Sequence, residues 1–191
     1  MTPPTPPTIS TPRLLLRPWR DADDEAFVAM FDDPRVMEFL PATTRPDIDA
    51  FIARIKAHFA EHGFGWWAVE VPGIAPFVGY VGLTIPRFDA HFTPAVEVGW
   101  RLASAHWGKG YATEGAKAAL DAGFTRLDLQ EIVSFTVPAN RRSIRVMQRI
   151  GMQHDPADDF DHPRLAEGNP LRRHVLYRIG RARWEEMGEK H

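Results

Sequence analysis

The chain has 191 residues, about the length of one domain with a core of its own rather than two full domains. It contains no cysteine, which excludes disulfides, a thiolate nucleophile and Cys-ligated zinc. With 23 basic against 25 acidic residues the formal charge is −2, so no global field draws it to nucleic acid or an anionic membrane, and no apolar run approaches the roughly 18 residues of a membrane span.

Met1 to Thr8, MTPPTPPT, lacks the basic-then-apolar pattern of a signal peptide and favours an extended, polyproline-like conformation. Residues 1–10 are therefore expected to form a disordered tail and 11–191 a single domain, in a cytoplasmic protein. From Arg13 the apolar run Leu14, Leu15 and Leu16 reads as a strand. Asp21 to Phe31 follows as a helix with an acidic start, and Pro34 then interrupts. Asp47 to His62 carries Ile48, Phe51, Ile52, Ile55 and Phe59 at helical spacing, with Gly63 closing the helix. Trp66 to Val71 and Phe77 to Ile85, split by Pro72 and Gly73, read as adjacent antiparallel strands, and Ala95 to Leu102 as a further strand. Gly110 to Phe124 is helical, with a face of Ala112, Ala116, Ala119 and Leu120 whose small residues permit close approach to a sheet. Glu131 to Val137 is a strand, Asn140 to Ile150 a helix stopped by Gly151, and Arg172 to Ile179 a last strand.

This order implies an α+β fold: a mixed, mostly antiparallel sheet with helices on its faces and one parallel crossover from strand 95–102 to strand 131–137. Ligands of open sheets bind beyond the carboxyl ends of strands, and the loop Trp107-Gly108-Lys109-Gly110 lies at such an end, ahead of a helix. Glycines there can turn backbone amides toward a phosphate, and they also serve as purely structural turn residues. Gly110 follows Lys109 where a P-loop needs a hydroxyl residue, which speaks against a nucleotide-binding regulator.

Glu97 to Leu102 (EVGWRL), followed by Trp107 to Glu114 (WGKGYATE), resembles the acetyl-CoA motif of the GNAT N-acetyltransferase superfamily. Val137 to Ser143 (VPANRRS) through Met152 resembles that family's next strand and helix, in the manner of its RimJ/RimL-type branch. Thr11 to Trp19 and His174 to Arg178 extend the likeness over nearly the whole chain. The resemblance implies a GNAT-like sheet whose parallel pair splays at the cofactor site, and acetyl-CoA as co-substrate without a metal. It puts the pyrophosphate on the amides of Gly108, Lys109, Gly110, Tyr111 and Ala112, with Thr113 and Asn140 as further contacts. Pantetheine would run beside the backbone of Trp100, Arg101 and Leu102. The implied reaction is direct transfer of acetyl from the thioester to a primary amine, on a protein N-terminus or a small molecule, by a monomer or homodimer. Trp107 stands where the superfamily usually has Gln or Arg, so a side-chain phosphate contact is missing there, although the Rim-type branch commonly shows Trp.

Amine acetylation needs a base, a polarised carbonyl and a proton for the departing thiolate. Glu97 shares a strand face with Arg101 and is the first candidate base; an ion pair between the two is the structural alternative. His174 is the second candidate base, or else a hydrogen-bonded core histidine. Met147 occupies the position where much of the superfamily has its proton-donating tyrosine, which keeps a non-catalytic acyl-CoA-binding or sensing module as the alternative function. Ser143 matches the serine proposed for proton donation in the Rim-type branch, or is a helix-start hydroxyl bonded to backbone. Asn140 is equally an expected N-cap. The loop His154 to His162 reads as a solvated acidic loop rather than a metal cage, and as one that could attract a basic acceptor. Trp66 and Trp67 read as core, or as a wall of an acceptor pocket.

Overall fold

The structure, a computed structural model, describes residues 7–188. One unit comprises the chain up to Thr84 together with Gly99–Ala118; the other comprises Ile85–Val98 and the chain from Ala119 onward. Strand β5 (Glu97–Leu102) and helix α4 (Tyr111–Thr125) each contribute residues to both.

In the first unit β1 (Ile9–Ser10), β2 (Leu15–Arg17), β3 (Trp66–Glu70) and β4 (Gly79–Thr84) form an antiparallel meander, with Ile9 opposite Leu16, Leu16 opposite Val69, and Ala68 opposite Tyr80. Ile9 and Ser10, expected within the tail, are therefore part of the sheet. Residues 1–6 of that tail lie outside the described residues, whereas Ile9 and Ser10 pair with β2 and the Pro7 carbonyl accepts from Trp67 Nε1 at 2.8 Å. Proline removes a backbone donor but leaves a carbonyl, and that carbonyl satisfies a buried indole.

Helix α1 (Ala22–Ala29) leads into a 3₁₀ turn, and α2 (Pro34–Met37) follows at once. Pro34 therefore starts a helix instead of merely interrupting one: at the first helical position it has no N–H to waste, and Asp33 caps it by accepting the Arg35 N–H at 2.9 Å. Helix α3 (Arg45–His62) begins two residues before the apolar pattern does. There the Asp47 carboxylate accepts both the backbone N–H of Thr44 at 2.9 Å and its hydroxyl at 2.6 Å.

Tyr80 and Val81 alternate across β4, and each points to a different helical layer. Phe27, Ile48 and Ile52 from α1 and α3 pack in one buried cluster with Tyr80. On the opposite face Gly115 of α4 sits so close to Val81 that a β-carbon there would come within 3.2 Å of it. Helices thus cover both faces, and the small-residue face of α4 has the function its composition suggests. Beneath α1, Arg17 is 3% exposed and bonds both carboxylate oxygens of Asp23, at 2.7 and 2.8 Å, and Glu70 at 2.8 Å.

The second unit holds β6 (Glu131–Thr136), α5 (Arg141–Arg149), β7 (Gln153–His154), β8 (Phe160–Asp161), β9 (Arg173–Gly180) and α6 (Arg181–Gly188). Glu97 pairs in parallel with Val133 of β6, the expected crossover, and Val133 N–H donates to Val96 at 2.9 Å. β6 and β9 form a long antiparallel ladder from Glu131 opposite Gly180 to Thr136 opposite Val175. β7 and β8 pair with β9, and each is two residues long, too short to show an alternating pattern in sequence.

Candidate active site

In the first unit the end of β5 is fastened before the glycine loop begins. Ala103 N–H donates to Val78 at 2.9 Å, Ser104 Oγ donates to Asp33, and the Trp107 indole donates to the Leu102 carbonyl at 2.7 Å. Trp107 therefore pins the loop to the strand end. Gly108 and Gly110 then take φ +74° and +83°, in the left-handed region, and the space where a Gly108 β-carbon would project holds no atom within 4 Å. The first intrahelical bond of α4 runs from Glu114 N–H to the Gly110 carbonyl at 3.0 Å. The N–H groups from Gly110 to Thr113 therefore precede the helical ladder, at the positive end of a four-turn dipole. An open, amide-lined helix start of this kind suits a phosphate group.

A clamp that sequence reasoning missed holds this loop. Arg13 donates from Nε to Glu114 Oε2 at 2.6 Å, from its backbone N–H to Oε1 at 2.9 Å, and from Nη1 to the Lys109 carbonyl at 2.8 Å. Thr11 Oγ1 adds a bond to Glu114 Oε1 at 2.7 Å. Burial pushes the Glu114 pKa up, but the bonds from Thr11 and Arg13 outweigh it and hold the group below the usual carboxylate range. Nothing in the local sequence signals this pair, because its members lie 101 residues apart. The Tyr111 ring is buried, with the Arg13 guanidinium 5.1 Å from its centroid.

Arg101 and the tryptophan pair also receive definite places in this unit. Trp67 is core, at 1% exposure. Trp66 is half-buried and stacks on Phe51 and Tyr80, at 5.3 and 5.0 Å between centroids, while its Nε1 is buried without a hydrogen-bond partner. The Arg101 guanidinium lies over the same two rings, 5.7 and 5.6 Å from their centroids, and 5.4 Å from that of Phe31.

In the second unit Glu97 is half-buried as a residue, but its carboxyl end is desolvated, and this burial alone pushes its pKa up to about 8. At neutral pH it is mostly the uncharged acid. Asn140 caps α5 by accepting Ser143 N–H at 3.2 Å, and its amide donates to Thr136 Oγ1 at 3.0 Å and Ser143 Oγ at 3.1 Å. Both amide hydrogens are therefore committed, and Ser143 Oγ, as acceptor of one of them, keeps its own proton free to donate. Met147 is core, at 1% exposure.

His174 Nδ1 faces the Arg172 carbonyl at 3.1 Å, which puts the proton there and leaves Nε2 as a lone-pair site. Its ring lies 5.2 Å from that of His162 and 5.5 Å from that of Phe160. Burial lowers the pKa of both histidines, that of His162 to about 4 with help from His174 and Arg164. Two carboxylates of the acidic loop have partners: Asp158 pairs with Arg178 at 2.6 Å and Asp159 hydrogen-bonds with His154 at 2.7 Å.

These features sit on a known framework. The acetyltransferase (GNAT) domain profile matches residues 13–153, and the chain belongs to that family. It is 30% identical over 178 residues to the "Uncharacterized N-acetyltransferase YnaD" of Bacillus subtilis (strain 168), covering 92% of this chain and 98% of that protein. It is likewise 30% identical over 193 residues to the "FsC-acetyl coenzyme A-N(2)-transacetylase" of Aspergillus fumigatus, covering 95% of this chain and 79% of that protein. Among solved structures, the GNAT-family acetyltransferase of Bacillus anthracis superposes with a TM-score of 0.74 at 28% identity, over 92% of this chain and 99% of that one. Among the described residues no helix is long and apolar enough to cross a membrane.

Proposed function

We propose that this chain is an acetyl-CoA-dependent N-acetyltransferase of the RimJ/RimL type, one domain over 11–191, acting in the cytoplasm as a monomer or homodimer on a primary amine. The observation that carries the reading is the glycine loop, with Gly108 and Gly110 in left-handed conformation ahead of the uncommitted amides of α4. Those amides, from Gly108 to Thr113, would hold the pyrophosphate, and the backbone of Trp100, Arg101 and Leu102 would line the pantetheine arm. The name of the Aspergillus relative supports acetyl-CoA as donor.

Bound acetyl-CoA would supply an acetyl group activated as a thioester. Glu97, once ionised, takes the proton of the attacking amine, and its pKa near 8 lies close to that of an α-ammonium group. His174 Nε2 is the alternative acceptor of that proton. Strand amides near Trp100 polarise the carbonyl. Ser143 passes its hydroxyl proton to the departing sulfur and regains one from solvent, with Asn140 orienting the oxygen. The acceptor is a small-molecule amine or a protein N-terminus.

Thermal unfolding with acetyl-CoA, CoA or ATP, followed by thiol release in the presence of amines, tests the reading. Acetyl-CoA at about 100 times its Kd should add roughly 2.7 kcal/mol of stability, and ATP none. No stabilisation by acetyl-CoA overturns the proposal; binding with no turnover on any amine would favour an acyl-CoA-sensing module.

A further inference from the structure

The glycine loop of the first unit has little fixed charge for the ligand its amides suit. A pyrophosphate diester carries two negative charges at neutral pH, and a helix N-terminus answers with about half a positive one. The ion pairs around the loop cancel. Arg13 is paired with Glu114 at 2.6 Å, and Asp33, which accepts from Ser104, is paired with Arg35 at 2.9 Å. The Trp107 side chain is neutral, with its indole bonded to the Leu102 carbonyl. His106 is held below its ordinary pKa, first by burial and then by Lys109, so it adds no charge at neutral pH. Lys109 remains. It is exposed, and among the described residues its ammonium makes no ion pair and no hydrogen bond. Its side chain leaves the backbone between Gly108 and Gly110, among the amides themselves, where the Arg13 bond to the Lys109 carbonyl fixes the main chain.

We infer that the Lys109 ammonium is the counter-charge of the pyrophosphate, and that its side chain supplies the phosphate contact that Trp107 cannot make. With the helix end it answers about three-quarters of the ligand's charge. A lysine suits the position, because a compact point charge on a flexible stem can follow either phosphate while the amides fix the geometry. Exposure makes this contribution sensitive to salt, which separates it from the hydrogen bonds of the amides. Lys117, farther along α4, is also exposed and without an ion pair among the described residues, so it controls for bulk charge. That the pyrophosphate belongs to acetyl-CoA rests on the function proposed above; the charge balance of the loop does not.

Acetyl-CoA is titrated into the full chain and into Lys109→Ala, Lys109→Arg and Lys117→Ala, at ionic strengths of about 0.01 M and about 0.5 M. At low salt Lys109→Ala should bind about five- to tenfold more weakly, Lys109→Arg nearly as the parent, and Lys117→Ala within about twofold of it. At high salt the deficit of Lys109→Ala should shrink to about twofold. S-acetylpantetheine, which has no phosphate, should not distinguish these chains. Equal affinity of the parent and Lys109→Ala at low salt, a deficit that salt does not reduce, or a loss of the same size in Lys117→Ala overturns the inference. Inorganic pyrophosphate, followed through the amide resonances of Gly108 and Gly110, separates that failure from failure of the acetyltransferase reading. If acetyl-CoA does not bind the parent, that reading falls; a pyrophosphate response lost in Lys109→Ala then still upholds the counter-charge, and no response, or one unchanged in Lys109→Ala, refutes it.

Discussion

Arg13 and Glu114, 101 residues apart, are joined by a side-chain bond of 2.6 Å and a backbone bond of 2.9 Å, and the same guanidinium holds the Lys109 carbonyl at 2.8 Å. A strand-leading residue thereby fixes the glycine loop and the first turn of α4 together. Arg13 is half exposed, so the pair itself stabilises the fold by no more than about 1 kcal/mol. Its larger effect is on loop order. Arg13→Ala and Glu114→Gln should each lower Tm by only about 2–4 °C yet weaken acetyl-CoA binding several-fold, as calorimetric titration would read.

Gly110 takes φ +83° with Arg13 Nη2 3.3 Å from where a β-carbon would stand. Gly110→Glu adds left-handed backbone strain of about 1 kcal/mol and sets a carboxylate against the phosphate position. The protein should remain folded, with the stabilisation by acetyl-CoA gone. Unchanged stabilisation would remove the loop from cofactor binding.

Glu97 gives a pH dependence whose sign is defined. Burial raises its folded pKa to about 8, above the ordinary carboxylate value of 4.5. Between those values the folded chain holds a proton that the unfolded chain releases. This group's contribution to stability is complete below pH 4.5 and is lost as pH rises through about 8. Thermal scans from pH 5 to 9 should show that loss in the parent chain and a flatter profile in Glu97→Gln. If Glu97 is also the base, the parent rate rises with pH through about 8, and the variant lacks that limb.

Asn140 and Ser143 separate a structural role from a chemical one. Asn140→Ala removes the cap on α5 and should cost about 1 kcal/mol, or 2–4 °C in Tm. Ser143→Ala keeps the backbone N–H that Asn140 accepts, so stability should change little while turnover falls and acetyl-CoA affinity holds. A full rate in Ser143→Ala would exclude it as the proton donor to sulfur.

The buried pair Arg17–Asp23 should be the most sensitive polar contact in the chain. Both side chains are almost wholly buried and joined by bonds of 2.7 and 2.8 Å. Asp23→Ala leaves a guanidinium with one remaining carboxylate, Glu70, and should cost about 3 kcal/mol, roughly 10 °C in Tm. A loss under 2 °C would show that Glu70 and water compensate.

The long elements were legible because their signals are local. The 3.6-residue spacing of Ile48, Ile52, Ile55 and Phe59 dictates α3, and the run of apolar residues from Trp66 dictates β3. The glycine loop and the Asn140 cap were legible for the same reason, since each is a turn whose backbone geometry demands those residues. The two-residue strands β1, β7 and β8 carry no period to read, and their pairing with β2 or β9 alone defines them.

Sequence by itself determined the order of elements, the crossover and the residues available for chemistry. Tertiary structure decided the state of those residues. Glu97 acquires its raised pKa from desolvation, and Ser143 its free proton from Asn140. Such properties depend on what long-range folding brings within a few ångströms, where dielectric and hydrogen-bond supply are set, and no spacing along the chain encodes that.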